Sequence, residues 1–245
     1  MRPVSIVTVS NSGFFFIRLL VERVRAMIGP RPYEIIVVDR GRDKTSRSWL
    51  SGQPDVRLLT YRQWGKNHRH GEAAEYGVKK ALHDVIVLLD SDAHPVSANW
   101  LSETADRLDE THRLAGAEFR DWHKANPHGW FIHPHFLVFF KKDLGDLVIL
   151  RKVRGNDADT GEEATLRIMD AGLVAIRHPI VFSAEFDVGH PRVPTVSGGI
   201  FHCWYVTRLL LDPKGVEKES SGQVTPETYL HPLQAKLRAR YGLDY

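Results

Sequence analysis

The run Val85-Ile86-Val87-Leu88-Leu89 is apolar at every position and leads straight into an acid, Asp90. A strand with one wet face alternates apolar and polar residues, so a continuous run has to bury both faces. Such a strand belongs inside a sheet covered by helices on both sides, which confines the chain to an α/β architecture. Residues 4–9 (V-S-I-V-T-V) and 33–39 (Y-E-I-I-V-V-D) repeat the pattern, and residues 56–61 supply another strand. Between them, residues 14–28 predict a helix stopped by Gly29-Pro30, and residues 45–50 a short one. Residues 72–82 predict a third helix, with Ala73, Ala74, Gly77, Val78 and Ala81 on its packing face. The turn Ser10-Asn11-Ser12-Gly13 is placed to cap the first helix. This alternation predicts parallel βαβ units with right-handed crossovers.

The second half is less regular. Helices are expected over residues 97–112 and 162–171, an aromatic strand over 130–141, and short strands over 174–176 and 180–182. A polar stretch begins at 212 and ends in a basic helix over 232–240. No repeat or linker interrupts the chain. The expectation is one mixed, mainly parallel sheet flanked by helices in a single domain over residues 1–211, followed by a tail over 212–245. The tail helix has two readings: a docked terminal helix, or a basic face touching a membrane.

A chain of 245 residues with 42% hydrophobic and 26% charged residues can bury a core of its own. Its single cysteine, Cys203, excludes an internal disulfide and fits a reducing compartment. No apolar run reaches membrane-spanning length and the N-terminus lacks the features of a signal peptide, so the expected location is cytoplasmic, with the inner membrane face open to the tail. The net charge of +3 favours anionic ligands such as nucleotide diphosphates. The basic residues are scattered and form no nucleic-acid signature.

Ligands of open parallel sheets bind beyond the carboxyl ends of the strands. Asp39, Asp90 and the Ser10-Asn11 turn all sit at such ends. Asp90-Ser91-Asp92 offers two carboxylates at i and i+2 after a buried strand, hard oxygen donors suited to Mn²⁺ or Mg²⁺. The plainer reading is a pair of turn acids. His133 and His135 share one face of a strand, with no third zinc ligand at a suitable spacing, and read as pocket lining. Trp130, Phe131 and Trp204 read either as core or as platforms for a sugar ring.

The ordered set of these segments resembles the family 2 glycosyltransferases, which have the GT-A fold. Val4-Ser5-Ile6-Val7 with Asn11 resembles the family's opening strand. Glu34-Ile35-Ile36-Val37-Val38-Asp39, with Gly41, Asp43 and Thr45, resembles its second strand and turn. Gly71, Ala74, Gly77 and Ala81 resemble its small-residue helix, Val87 to Asp92 its metal motif, and Gly161-Glu162-Glu163 with Leu166, Arg167, Ala171 and Gly172 its later acidic segment. Arg40 stands where the family often has a second Asp, Tyr76 replaces its usual Asn, and Glu163 stands where an Asp is usual.

The resemblance implies an inverting, metal-dependent transfer from a nucleotide-diphosphate sugar to a glycan, lipid-linked or small-molecule acceptor. Residues 1–100 would then be the nucleotide-binding half and 101–211 the acceptor half. Val9, Ser10 and Asn11 would line the nucleotide pocket with Ser91 beside them. Asp39 would contact base or ribose, and Lys66 and Arg69 would meet the diphosphate. Asp92 would bind Mn²⁺ or Mg²⁺ directly, with Asp90 on ribose or on a metal-bound water. His202 would complete the metal shell, with His190 as rival. Glu163 would be the general base, with Asp159 as the nearest substitute. A non-catalytic nucleotide-sugar or glycan-binding protein on the same fold is the competing reading, and a nucleotidyltransferase ranks below both, since the first turn lacks a glycine-rich basic loop.

Overall fold

The computed structural model describes residues 1–41, 43–61, 70–120, 127–150, 161–189, 194–204, 206–220 and 224–245. Four parallel strands form its first half: β1 (Val4–Ser10), β2 (Tyr33–Asp39), β3 (Val56–Thr60) and β4 (Val85–Asp90). They are joined by α1 (Phe14–Met27), α2 (Lys44–Ser51) and α3 (His70–Lys80). After the short β5 (Ala93–Pro95), strands β6 (His112–Arg120), β7 (Trp130–Phe140) and β8 (Val174–Pro179) extend the sheet to seven strands in the order β3-β2-β1-β4-β7-β6-β8. Only β7 runs antiparallel to its neighbours. The sheet is thus mixed and mostly parallel. A second, four-stranded antiparallel sheet joins β5 to β9 (Val181–Phe182), β10 (Thr195–Ser197) and β11 (Ile200–His202), in the order β5-β11-β10-β9.

The apolar runs are continuous because each face of the sheet has its own core. Ile6, Val37 and Val87 pack with Ile17, Leu20 and Val24 of α1 on one side. Val7, Val38 and Leu88 pack with Ala73, Ala74 and Val78 of α3 on the other, where Ala164 and Ile168 of α4 (Glu162–Asp170) also lie. Each buried aliphatic side chain contributes about 1.5–3 kcal/mol relative to exposure. Gly77 lets α3 lie directly on the sheet: a Cβ there would sit 2.7 Å from the methyls of both Val7 and Val38.

Two expectations fail. Residues 97–112 do not form a helix; the segment is a series of turns with one 3₁₀ turn, Ala105–Arg107. Its buried residues, Trp100, Leu101, Thr104, Ala105 and Leu108, do follow a helical spacing. The hydroxyls compete with a regular helix, however: Ser97 Oγ accepts from the Asn99 amide, and Ser102 and Thr104 donate to the Asn99 and Trp100 carbonyls. The second failure is β6, which the sequence does not announce. Its centre is Ala115-Gly116-Ala117, weak strand formers that acquire strand geometry by pairing with β7 on one side and β8 on the other.

The C-terminal stretch continues through α5 (Val206–Leu211) and α6 (Pro213–Glu219) to α7 (His231–Tyr241). Leu233 and Leu237 of α7 are fully buried in a third cluster with Phe15, Phe16 and Leu19 of α1. The apolar face of the tail helix is therefore occupied by the protein itself. No helix among the described residues is long and apolar enough to cross a membrane.

Candidate active site

The strand ends meet as the alternating pattern requires. Val9 stands opposite Asp90 in the β1–β4 ladder, and Ser10 opposite Asp39 in the β1–β2 ladder. Three residues beyond Asp90 the chain enters β5, which pairs with β11 so that Ala93 faces His202. The Cys203 amide donates to the Asp92 carbonyl (3.2 Å) and fixes that junction.

This pairing delivers His202 to the two acids. Its Nε2 lies 3.6 Å from Asp92 Oδ1 and 3.9 Å from Asp90 Oδ2, and ligand atoms of all three residues fall within 4.8 Å of one another. These separations exceed ordinary hydrogen bonds. They match ligands around a shared cation: bonds of about 2.1 Å place two donors about 3 Å apart at right angles and about 4 Å apart when opposed. Two carboxylates with one imidazole suit Mn²⁺, and the carboxylates alone suit Mg²⁺. The residues present fit a divalent ion.

The electrostatics agree. Asp92, 7% exposed, has its carboxyl pushed up by burial and by the charge on Asp90, against the pull of His202. Burial works on Asp90 in the same direction, but there the adjacent His70 imidazole, with His202 and His133 nearby, holds the carboxyl well below the usual range. Two neighbouring acids, one partly suppressed by the other, make a site short of positive charge.

His70 is the residue that sequence reasoning missed. It opens α3, and its Nε2 lies 3.3 Å from Asp90 Oδ1. Burial lowers its pKa, but the neighbouring Asp90 carboxylate prevails and raises it. The signal was its place, immediately before Gly71 in the basic loop that also carries Lys66 and Arg69.

The nucleotide-side residues are only partly as expected. Val9, Ser10 and Ser91 are buried at the strand ends. The Ser10-Asn11-Ser12 turn does not cap α1: Gly13 takes that position at φ 98° with no side-chain bond. Asn11 Oδ1 and Ser12 Oγ are instead buried with no partner among the described residues. Asp39 is fully engaged, accepting from the Gly41 amide (2.7 Å) and from Arg47 Nε (2.5 Å). Arg47 keeps Nη2 buried beside it, with no partner among the described residues. Lys66, Arg69, Asp159 and His190 lie outside the described residues.

Glu163 is 4% exposed and opens α4, where its Oε1 accepts from Arg167 Nε (2.8 Å). The helix is held against β7. Gly161, at φ 97°, brings its Cα so near that a Cβ would lie 2.4 Å from the Ile132 carbonyl, and the Ile132 amide donates to Thr165 Oγ1 (2.9 Å). Glu163 therefore borders the strand that carries His133 and His135.

The model of glycosyl transferase family 2 matches residues 5–160. The chain belongs to that family. The family match covers the strand ends, Asp39 and the Asp90–Asp92 motif, and stops before Glu163 and His202. No curated protein matches the sequence. Among solved structures, this family 2 glycosyltransferase is similar to a mannosyltransferase, PcManGT from Pyrobaculum calidifontis, in complex with GDP-Man and Mn²⁺. The TM-score is 0.56 at 16% identity, over 99% of this chain and 76% of that one. It is also similar to 4-diphosphocytidyl-2C-methyl-D-erythritol synthase from Anaerococcus prevotii (TM-score 0.51, 14% identity, 73% of this chain and 88% of that one). At such identities the likeness is one of fold, and GT-A is the fold it shows.

Proposed function

We propose that the chain is an inverting, metal-dependent transferase that moves a sugar from a nucleotide-diphosphate donor to the hydroxyl of a glycan, lipid-linked or small-molecule acceptor. The observation that carries this reading is the meeting of Asp90 at the end of β4, Asp92 in the turn after it and His202 at the end of β11, with ion-sized spacing at the carboxyl ends of parallel strands. Asp92 and His202 would hold Mn²⁺ or Mg²⁺, with Asp90 on the ion or on the donor ribose. The ion, when bound, offsets charge on the departing diphosphate.

The chain's own groups do the rest. Asn11 and Ser12, with buried unbonded oxygens, and the Asp39–Arg47 pair present hydrogen-bonding edges to the nucleoside. Val9, Ser10 and Ser91 shape the pocket wall, and Lys66 and Arg69 face the diphosphate. Trp204, half-buried beside His133 (ring centroids 5.4 Å), gives the acceptor ring a surface to stack on. Glu163 takes the proton of the acceptor hydroxyl as its oxygen bonds to the anomeric carbon, while the bond from that carbon to the diphosphate breaks and its electron pair leaves with the diphosphate.

One observation favours the competing reading of a non-catalytic nucleotide-sugar binder: the Glu163 carboxylate is tied to Arg167 of its own helix, the arrangement of a structural acid. Thermal unfolding with UDP, GDP, dTDP or CDP, each with Mn²⁺ or EDTA, tests the common core of both. A nucleotide at about 100 times its Kd stabilises by about 2.7 kcal/mol. A shift that needs Mn²⁺ and vanishes in Asp92→Asn upholds the site; indifference to all four nucleotides rejects it. Turnover of a sugar donor then separates enzyme from binder.

A further inference from the structure

A metal-binding histidine is ordinarily held in place by a hydrogen bond from its second ring nitrogen to a carboxylate or carbonyl. His202 lacks one: its Nδ1 is buried without a partner among the described residues. Its ring is held by its faces instead. His135 lies parallel to it, with ring centroids 4.2 Å apart and 3° between planes, and Trp204 meets it edge-on at 4.7 Å and 64°.

His135 comes from β7, whose ladder with β4 pairs Phe136 with Leu89, so it stands next to Asp90 at the sheet's end. It is completely buried. Its tautomer follows from its neighbours. His133 Nδ1 receives the His135 backbone N–H (3.2 Å) and so presents a lone pair; His135 Nδ1, 2.8 Å from the same atom, is therefore the donor. His135 Nε2 is buried with no partner among the described residues. An aromatic face attracts an imidazole made electron-poor by a metal.

We infer that His135 is a positioning residue for His202: its ring, oriented by the hydrogen bond to His133, supplies by stacking the support that a hydrogen-bonded partner gives elsewhere, and keeps Nε2 of His202 aimed between Asp90 and Asp92. The inference rests on the metal reading given above. Of the three imidazoles, His202 is the one that clusters with Asp90 and Asp92; His135 and His133 act through it.

The test is Mn²⁺ titration of the full chain, following free Mn²⁺ by electron paramagnetic resonance, with the midpoint of unfolding in EDTA as a control on the fold. His135→Asn keeps the donor to His133 and removes the ring; His135→Phe keeps the ring and removes the donor. The expected result is about 10-fold or more weaker Mn²⁺ binding in His135→Asn, and binding within about threefold of wild type in His135→Phe. Wild-type affinity in His135→Asn overturns the inference, as does a 10-fold loss in His135→Phe with its unfolding midpoint unchanged. The Phe variant decides alone if the Asn variant does not fold. Failure of the wild type to bind Mn²⁺ removes the metal reading and this inference together, which distinguishes it from failure of the stack alone.

Discussion

Asp92 and His202 meet across the junction of two sheets, 3.6 Å from Oδ1 to Nε2, although more than a hundred positions separate them in the chain. The carboxylate follows the end of the large sheet and the imidazole ends a strand of the small one, so their approach reports the register of β5 against β11. The two atoms do not form a hydrogen bond. The proposed divalent ion accounts for that spacing, and its consequences can be measured.

Asp92→Asn is expected to leave the unfolding midpoint in EDTA unchanged or slightly higher, since an acid pushed up by burial and by Asp90 becomes neutral. It should abolish the Mn²⁺-dependent nucleotide shift and lower the rate of transfer by about 100-fold or more, equivalent to about 3 kcal/mol of transition-state stabilisation. Steady-state rates with a matched donor and calorimetric unfolding check both halves.

Glu163→Gln separates base from helix-starting acid. If Glu163 removes the acceptor proton, kcat falls by about 10²–10⁴ while nucleotide affinity stays. Arg167→Ala, which releases the 2.8 Å partner of the carboxylate, is expected to keep activity within about tenfold. Unchanged kcat in Glu163→Gln would move the base to another acid.

Acid lability should trace to buried neutral imidazoles. Burial, with the charge of Arg23 adding to it, holds His94 down to about 3, and its Nε2 bonds to the Tyr241 hydroxyl (3.0 Å). In the unfolded chain the same group titrates near 6.5. Between those values the native state binds fewer protons, so this stability is complete above about pH 6.5 and is lost as pH falls toward 3, by at most about 1.4 kcal/mol per pH unit. Denaturant melts at pH 7, 6, 5 and 4 should show the loss, and His94→Gln should make the slope shallower without removing it, because His135 is lowered in the same direction.

Gly77→Ala pits two effects against each other. Alanine gains about 1 kcal/mol in helix propensity. Its Cβ would meet the Val7 and Val38 methyls at 2.7 Å, and overpacking of that kind costs about 1–3 kcal/mol. The contact is with the stiff central strands, so the second effect prevails: a net destabilisation of about 1–2 kcal/mol by urea unfolding is expected. A stabilised variant would show that α3 can lift off the sheet at no cost.

The first half of the fold was legible because its signals are local. Apolar runs in β1, β2 and β4 each identify a doubly buried strand, and an acid at a strand end already marks the crevice. β6 was illegible because Ala115-Gly116-Ala117 carries no strand preference of its own and depends on partners from later in the chain. Residues 97–112 were misread because burial there has a helical spacing while serine and threonine hydroxyls bond the backbone into turns.

The sequence by itself determined the α/β class, the family and the pair of acids, since each depends on residues adjacent in the chain. Tertiary structure alone decided that His202 is the third group of the cluster, that His70 touches Asp90, and that His135 stacks on His202. Those contacts depend on the register between strands and on the joining of two sheets. Register is set by cooperative packing of many side chains, and no short segment encodes it.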